Sequence, residues 1–73
     1  MKTYYFSFGQ DHTHRIDGVT LDADVLLKVT AEGYNEARQK VFDAIGPKWS
    51  FQYDDDTMDL KYFPRGIVEV PSI

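Results

Sequence analysis

The chain has 73 residues, no cysteine and a formal net charge of -4 at pH 7, which excludes disulfides, thiolate metal ligands and a cysteine nucleophile and disfavours direct binding of nucleic acid. A chain this short removes only about 60% of its unfolded surface from water, so its five Phe, five Tyr and one Trp must supply the core of a single domain over residues 1–73. It shows no apolar run of signal-peptide or membrane-spanning length, so we expect a cytoplasmic protein that does not bind membranes.

Alternating apolar residues predict a long N-terminal β-hairpin. Every second residue from 19 to 29 is apolar, which is typical of a strand with one buried face. The preceding dipeptide, Asp17-Gly18, suits a two-residue type I′ turn because both residues tolerate positive φ. We therefore predict two paired strands, residues 3–16 and 19–30, with a bulge allowed near Gly9.

This turn fixes the pairing of the two predicted strands. If Asp17 and Gly18 form the turn, residues whose numbers add to 35 lie opposite each other, and the apolar faces of both strands coincide. The predicted opposite pairs are Ile16 with Val19, Phe8 with Leu27, and Phe6 with Val29. The predicted buried face consists of Phe6, Phe8, Val25, Leu27 and Val29.

A helix is predicted over residues 31–45. Its apolar stripe is Tyr34, Ala37, Val41 and Ile45, joined by Phe42 and by the stem of Arg38. Thr30 or Asn35 is the candidate N-cap, Glu36 and Lys40 form an i,i+4 pair, and Gly46-Pro47 ends the helix.

The second half of the chain predicts two further short strands. Trp49, Phe51 and Tyr53 alternate with polar residues, so their aromatic face is expected to meet the hairpin and the helix. A polar turn over residues 54–59 leads to a short strand, Leu60–Phe63. The predicted fold is α+β, in the order β-β-α-β-β, with one helix packed across a mostly antiparallel sheet.

One group of neighbouring residues contains potential metal ligands, namely Asp11, His12 and His14. Two His residues two positions apart on a strand share a face, but no third ligand at a recognisable spacing completes the set. The aspartates at residues 54–59 lack the central Gly and the terminal Glu of an EF-hand. We therefore predict no metal, no cofactor and, since no catalytic motif is found, no enzymatic activity.

Acidic residues supply the candidate binding site. Asp54, Asp55, Asp56 and Asp59, together with Asp22 and Asp24, could present carboxylates to a basic partner, although such a run can also be a solvated turn. Three aromatic residues expected on the outer face of the sheet could anchor the same partner unless a dimer or the C-terminal tail covers them. These residues are Tyr5, Tyr62 and Phe63.

Three segments resemble small uncharacterised proteins encoded by bacteriophages and prophages. They are Tyr4-Tyr-Phe-Ser-Phe-Gly-Gln-Asp-His12, Glu36-Ala-Arg38 and Ile45-Gly-Pro-Lys-Trp-Ser-Phe-Gln-Tyr53. The resemblance spans roughly residues 4–53 and implies a phage accessory protein. We expect it to act inside a bacterial host cell, as a monomer or homodimer.

The resemblance and the acidic charge together predict a protein-binding function. The predicted partner is a host or phage protein with a basic surface, and the predicted effect is inhibition of a nucleic-acid-binding machine such as a CRISPR effector. Two alternatives remain open: a structural or assembly protein of the phage particle, and a metal- or nucleic-acid-binding factor that uses His12 and His14.

Overall fold

The computed structural model describes residues 1–10, 12–70 and 73. In these residues, one helix packs on a mixed four-stranded sheet, and two further strands form a separate hairpin. The α+β class is confirmed, but the strands are more numerous than predicted because the long hairpin is divided into two shorter pairs. The elements are β1 Lys2–Ser7, β2 His14–Ile16, β3 Val19–Leu21, β4 Val25–Ala31, α1 Tyr34–Ile45, β5 Phe51–Asp54, a 3₁₀ helix Leu60–Tyr62, and β6 Gly66–Val68.

The turn of the hairpin is where the sequence predicts it. Asp17 has φ 52° and Gly18 has φ 78°, as a type I′ turn requires, and Ile16 lies opposite Val19. The register farther from the turn differs from the prediction, because Phe6, not Phe8, lies opposite Leu27.

The difference in register arises between the two strand pairs. From the pair Phe6–Leu27 to the pair His14–Leu21, one arm contains residues 7–13 and the other only residues 22–26, an excess of two residues. The chain turns at Gly9, whose φ is 63°, and a Cβ there would lie 2.7 Å from Ser50 Oγ. Because the excess is an even number, the side chains of β1 and β4 keep their predicted faces.

The predicted buried face of the hairpin is therefore confirmed. Phe6, Phe8, Val25, Leu27 and Val29 are all at most 1% exposed and belong to one core cluster.

Helix α1 covers this face through its two buried residues, Ala37 and Val41. The helix begins at Tyr34, not at residue 31, because Ala31 still belongs to β4. Its N-cap is Gly33, which makes no side-chain capping bond, so the capping role predicted for Thr30 or Asn35 is wrong. Phe42, predicted on the apolar stripe, is exposed instead. No helix in the described residues has the length and hydrophobicity needed to span a membrane.

The other face of the sheet is covered by residues 55–65, which we call the crossover segment. The strand order is β5-β1-β4-β6, so the chain must pass from one edge of the sheet to the other after β5. Leu60–Tyr62 lies within this segment as a 3₁₀ helix, and the strand predicted at residues 60–63 is wrong. The last strand is instead Gly66–Val68, which pairs parallel to β4.

Handedness explains why the two sheet faces are covered by different elements. β4, β5 and β6 run in the same direction, because β4 and β5 are each antiparallel to β1 and β6 is parallel to β4. The connection through α1 leads from β4 to β5, toward one edge of the sheet. The crossover segment leads from β5 to β6, toward the opposite edge. Connections between parallel strands are almost always right-handed, so two steps in opposite directions must use opposite faces.

Trp49 and Phe51 occupy different environments, contrary to their predicted alternation. Trp49 lies before β5, in a turn where its backbone N–H donates to the carbonyl oxygen of Pro47. Its ring packs edge-on against Phe6, with ring centroids 5.0 Å apart. Phe51 and Tyr53 point to the opposite face of the sheet, with Tyr53 directly across from Tyr5. The predicted shared aromatic face is wrong because the chain bends between Trp49 and Phe51.

This difference can be tested with a matched pair of substitutions. We expect Trp49→Ala to lower the free energy of unfolding by about 3 kcal/mol, because it removes a ring packed against the core. Phe51→Ala, at a site that is 64% exposed, should change it by less than about 0.5 kcal/mol. Urea denaturation measures the free energy of unfolding of both variants. Equal losses in the two variants would contradict the bend between Trp49 and Phe51.

Candidate functional site

The acidic run begins in a tight turn organised by Asp54. Its Oδ1 accepts hydrogen bonds from the N–H of Asp56 and from both the N–H and the hydroxyl of Thr57, each at 3.0 Å. The backbone of Asp54 is also engaged, because its N–H donates to Thr57 Oγ1 and its carbonyl accepts from Thr57 and Met58. The Thr57 hydroxyl, followed by the two backbone N–H donors, holds the pKa of Asp54 below its ordinary value despite some desolvation.

Asp55 joins this turn to the sheet. Its Oδ1 accepts a hydrogen bond of 3.0 Å from the hydroxyl of Tyr5. Tyr5 is only 7% exposed, so the predicted exposure of this residue is wrong. Burial, and then the hydrogen bond and the negative charge of Asp55, raise the pKa of Tyr5 above its usual value. Tyr5 lies on the predicted outer face, where the crossover segment contacts it through Asp55.

Exposed aromatic rings continue from this turn. Tyr53 contacts Phe51 on one side and Phe63 on the other, with ring centroids 6.3 and 6.5 Å apart. Phe63 is half-buried, whereas Phe51 and Tyr62 are 64% and 68% exposed. We call this part of the molecule the acidic-aromatic surface, and its members are Phe51, Tyr53, Asp54, Asp55, Asp56, Asp59, Tyr62 and Phe63.

A small depression in this surface combines aromatic walls with one carboxylate. Tyr53, Tyr62 and Phe63 line it together with Asp59 and Thr57. Asp59 also begins the 3₁₀ helix, because its Oδ1 accepts the N–H of Lys61 at 3.1 Å.

Lys61 shows how a cation can use this surface. Its ammonium lies 3.6 Å from Asp59 Oδ2 and 5.0 Å from the centroid of the Tyr62 ring. A carboxylate and an aromatic face attract the same positive charge. A lysine or arginine of another protein would find the same two groups here.

Asp22 and Asp24 lie far from Asp54. Asp54 is across from Tyr4, which is across from Val29, whereas Asp24 precedes Val29 by five residues along β4. At about 3.3 Å per residue, the two aspartates are separated by about 16 Å along the strands alone.

The two distant aspartates take part in a different set of contacts. Asp22 Oδ2 accepts a hydrogen bond of 2.6 Å from Arg65 Nη1, and Asp24 O accepts the N–H of Arg65. These contacts attach the end of the crossover segment to the loop before β4. The six aspartates proposed from the sequence therefore form two separate groups.

The histidines lie at the other end of the sheet, beside the core. The ring of His14 packs edge-on against Phe8, and its Nε2 is 2.9 Å from Lys48 O. His12 is half-buried, while Asp11 lies outside the described residues. Within residues 1–10, 12–70 and 73, no three His, Asp or Glu side chains are grouped as a metal ion would require.

Comparison with known proteins supplies no relative from which a site could be transferred. No family model, curated protein or solved structure matches the chain. Two members of this surface, Phe51 and Tyr53, and the neighbouring Lys61 were not predicted as site residues. Phe51 was assigned to the core by its alternation with Trp49, and only the bend before β5 places it outside.

The pKa of Asp54 provides a test of the turn geometry. We expect its carboxyl group to titrate below the ordinary value of 3.8, so the stabilisation from this turn is complete above that value and is lost as the pH falls through the lower, folded-state pKa. Thr57→Val removes the donating hydroxyl and should raise the pKa, whereas Thr57→Ser should preserve it. Carboxyl-carbon NMR titration measures this directly, and an unchanged pKa in Thr57→Val would contradict the geometry.

Proposed function

We propose that this chain is a small acidic accessory protein of phage origin that binds a protein partner through the acidic-aromatic surface. The observation that carries the proposal is the depression in which the exposed ring of Tyr62 lies with Tyr53 and the carboxylate of Asp59. The exposed ring of Phe51 extends this row through its contact with Tyr53. Aromatic residues are enriched in protein interfaces, and complementary charge guides the partner to them.

The chemistry of this surface favours a basic partner. Arginine is the most suitable contact, because its guanidinium binds a carboxylate through two hydrogen bonds and stacks on an aromatic ring. Basic surfaces that offer several arginines and lysines commonly hold phosphate backbones. By occupying such a surface, the chain would exclude nucleic acid from it, and inhibition of a host nucleic-acid-binding machine would follow.

Two residues of the surface also have structural roles, which affects how it should be tested. Asp54 organises the turn and Asp59 begins the 3₁₀ helix, so their replacement could alter the fold. Asp55 accepts from Tyr5 through one oxygen, and an Asn there retains an acceptor. Asp56 contributes its backbone N–H to the turn, so Asn at this position preserves that bond.

We expect the double substitution Asp55→Asn with Asp56→Asn to weaken partner binding about fivefold, since two surface charge pairs together contribute on the order of 1 kcal/mol. The matched control is Asp17→Asn with Asp43→Asn, which removes the same net charge from two exposed positions in the hairpin turn and in α1 and should leave affinity nearly unchanged. The partner is first captured from bacterial lysate by crosslinking and identified by mass spectrometry. Its dissociation constant is then measured by calorimetry.

A third variant acts in the opposite direction. Lys61→Met removes the cation that shares Asp59 and Tyr62, so we expect tighter binding of a basic partner. Affinity of the natural protein should also fall as salt rises from about 50 to about 500 mM. Equal effects of the two Asp→Asn pairs, or an affinity insensitive to salt, would contradict binding through this surface.

A further inference from the structure

The guanidinium of Arg38 is held by rings and an amide. Its Cζ lies 4.8 Å from the centroid of the Tyr34 ring and 5.0 Å from that of Trp49, and its Nε donates to Gln52 Oε1 at 2.7 Å. Four other basic side chains in the described residues pair with a carboxylate instead. They are Lys28 with Glu69, Lys40 with Glu36, Lys61 with Asp59, and Arg65 with Asp22.

These contacts fix the position of Arg38 while leaving most of its donors available. Gln52 is itself held, because its Nε2 donates to the carbonyl of Tyr34 at 3.1 Å. An arginine has five N–H donors, and in the described residues only the Nε–H has a hydrogen-bond partner. The fork of two Nη groups is therefore oriented before any ligand arrives, which lowers the entropy that binding costs.

Arg38 opens onto a groove between α1 and the loop that follows it. Phe42, one helical turn after Arg38, is 54% exposed in this groove. Among the residues that the structure describes, the lining contains no carboxylate, although the chain carries an excess of acidic residues. The groove of about 460 Å³ is lined by Arg38 together with Asn35, Gln39, Phe42, Pro47, Trp49 and Ser50.

We propose that this groove binds an acidic peptide segment of a protein partner, in which one Asp or Glu lies beside an apolar residue. The carboxylate would receive two hydrogen bonds from the Nη groups of Arg38. The neighbouring apolar side chain would cover Phe42, Pro47 and Trp49.

Charge and shape favour this ligand over others. One guanidinium matches the single charge of a carboxylate, whereas a phosphate monoester carries a charge of about -2 and is repelled more strongly by a protein of net charge -4. The helix and the loop form only two walls, which would leave much of a small molecule exposed, and small-molecule sites usually bury most of their ligand. A peptide segment gains further affinity from the rest of its own protein.

Trp49 makes the groove directly observable, because it is the only tryptophan in the chain. We would titrate the full chain with the peptide acetyl-Gly-Leu-Glu-Gly-amide and with its neutral counterpart containing Gln, and follow the fluorescence of Trp49. The Glu peptide should give a saturable change, with binding about tenfold tighter than that of the Gln peptide, as expected for charge-assisted hydrogen bonds.

Two variants separate binding from folding. Arg38→Gln should abolish the preference for Glu over Gln, but it also removes the ring contacts that join α1 to the Trp49 loop. Phe42→Ala changes an exposed side chain, so this variant should keep the melting temperature of the natural protein. It should bind the Glu peptide several-fold more weakly. The double variant Asp55→Asn with Asp56→Asn should bind the peptide normally, which keeps this test independent of the acidic-aromatic surface.

Three results would overturn the proposal. They are equal binding of the Glu and Gln peptides, no saturable change up to about 10 mM peptide, and tighter binding of inorganic phosphate or adenosine monophosphate than of the Glu peptide. The last result would assign the groove to phosphate-bearing ligands instead.

Discussion

The second face of the sheet is covered because the chain must cross it to reach its last strand. Tyr5 and Leu26, which point to this face, are 7% and 0% exposed even though α1 packs on the opposite face. The crossover segment supplies the cover, and it is attached at one end by Asp55 to Tyr5 and at the other by Arg65 to Asp22. A domain of this size can rarely bury both faces of a sheet with regular elements, so an irregular segment performs the task.

This constraint gives the acidic residues two roles. Asp54 and Asp59 accept backbone N–H groups where the crossover segment turns, and such local capping is a common use of aspartate. Their side chains nevertheless remain at the surface, and Asp59 lies in the same depression as the exposed ring of Tyr62. Structural and binding roles are therefore compatible, and the proposed protein-binding surface follows from the way in which the sheet is covered.

The opposite side of the molecule has a different chemistry. There the helix meets the loop before β5, and Arg38 is held between Tyr34 and Trp49. An oriented cation next to the exposed ring of Phe42 suits an acidic segment, whereas the acidic-aromatic surface suits a basic one. The two surfaces could contact different partners or two regions of one partner.

Local patterns predict much of the fold, but contacts distant in sequence determine the surface. Alternation in the hairpin places Phe6, Phe8 and Leu27 correctly, because an even shift in register preserves the face of each side chain. Gly9 signals an irregularity in the strand, and the chain does turn there, but no local pattern sets the size of the excess at two residues. The aromatic residues after the helix show the same limit, because Trp49, Phe51 and Tyr53 alternate as a strand would, yet the chain bends after Trp49 and sends Phe51 outward.

The crossover segment has Leu60, Tyr62 and Phe63 close together, a pattern that is typical of a strand in isolation. Its 3₁₀ helix is favoured by the hydrogen bond that Asp59 accepts from the N–H of Lys61 and by the sheet face beneath it. The exposure of Tyr5 could not be judged without that cover.

Hydroxyl-radical footprinting, read by mass spectrometry at single residues, tests the covering of the second sheet face most directly. The folded protein should show rapid oxidation of Tyr62 and strong protection of Tyr5, and the protection should disappear on unfolding in urea. Oxidation of Tyr5 in the folded protein at the rate of Tyr62 would show that the second face is open, and would contradict its covering by the crossover segment.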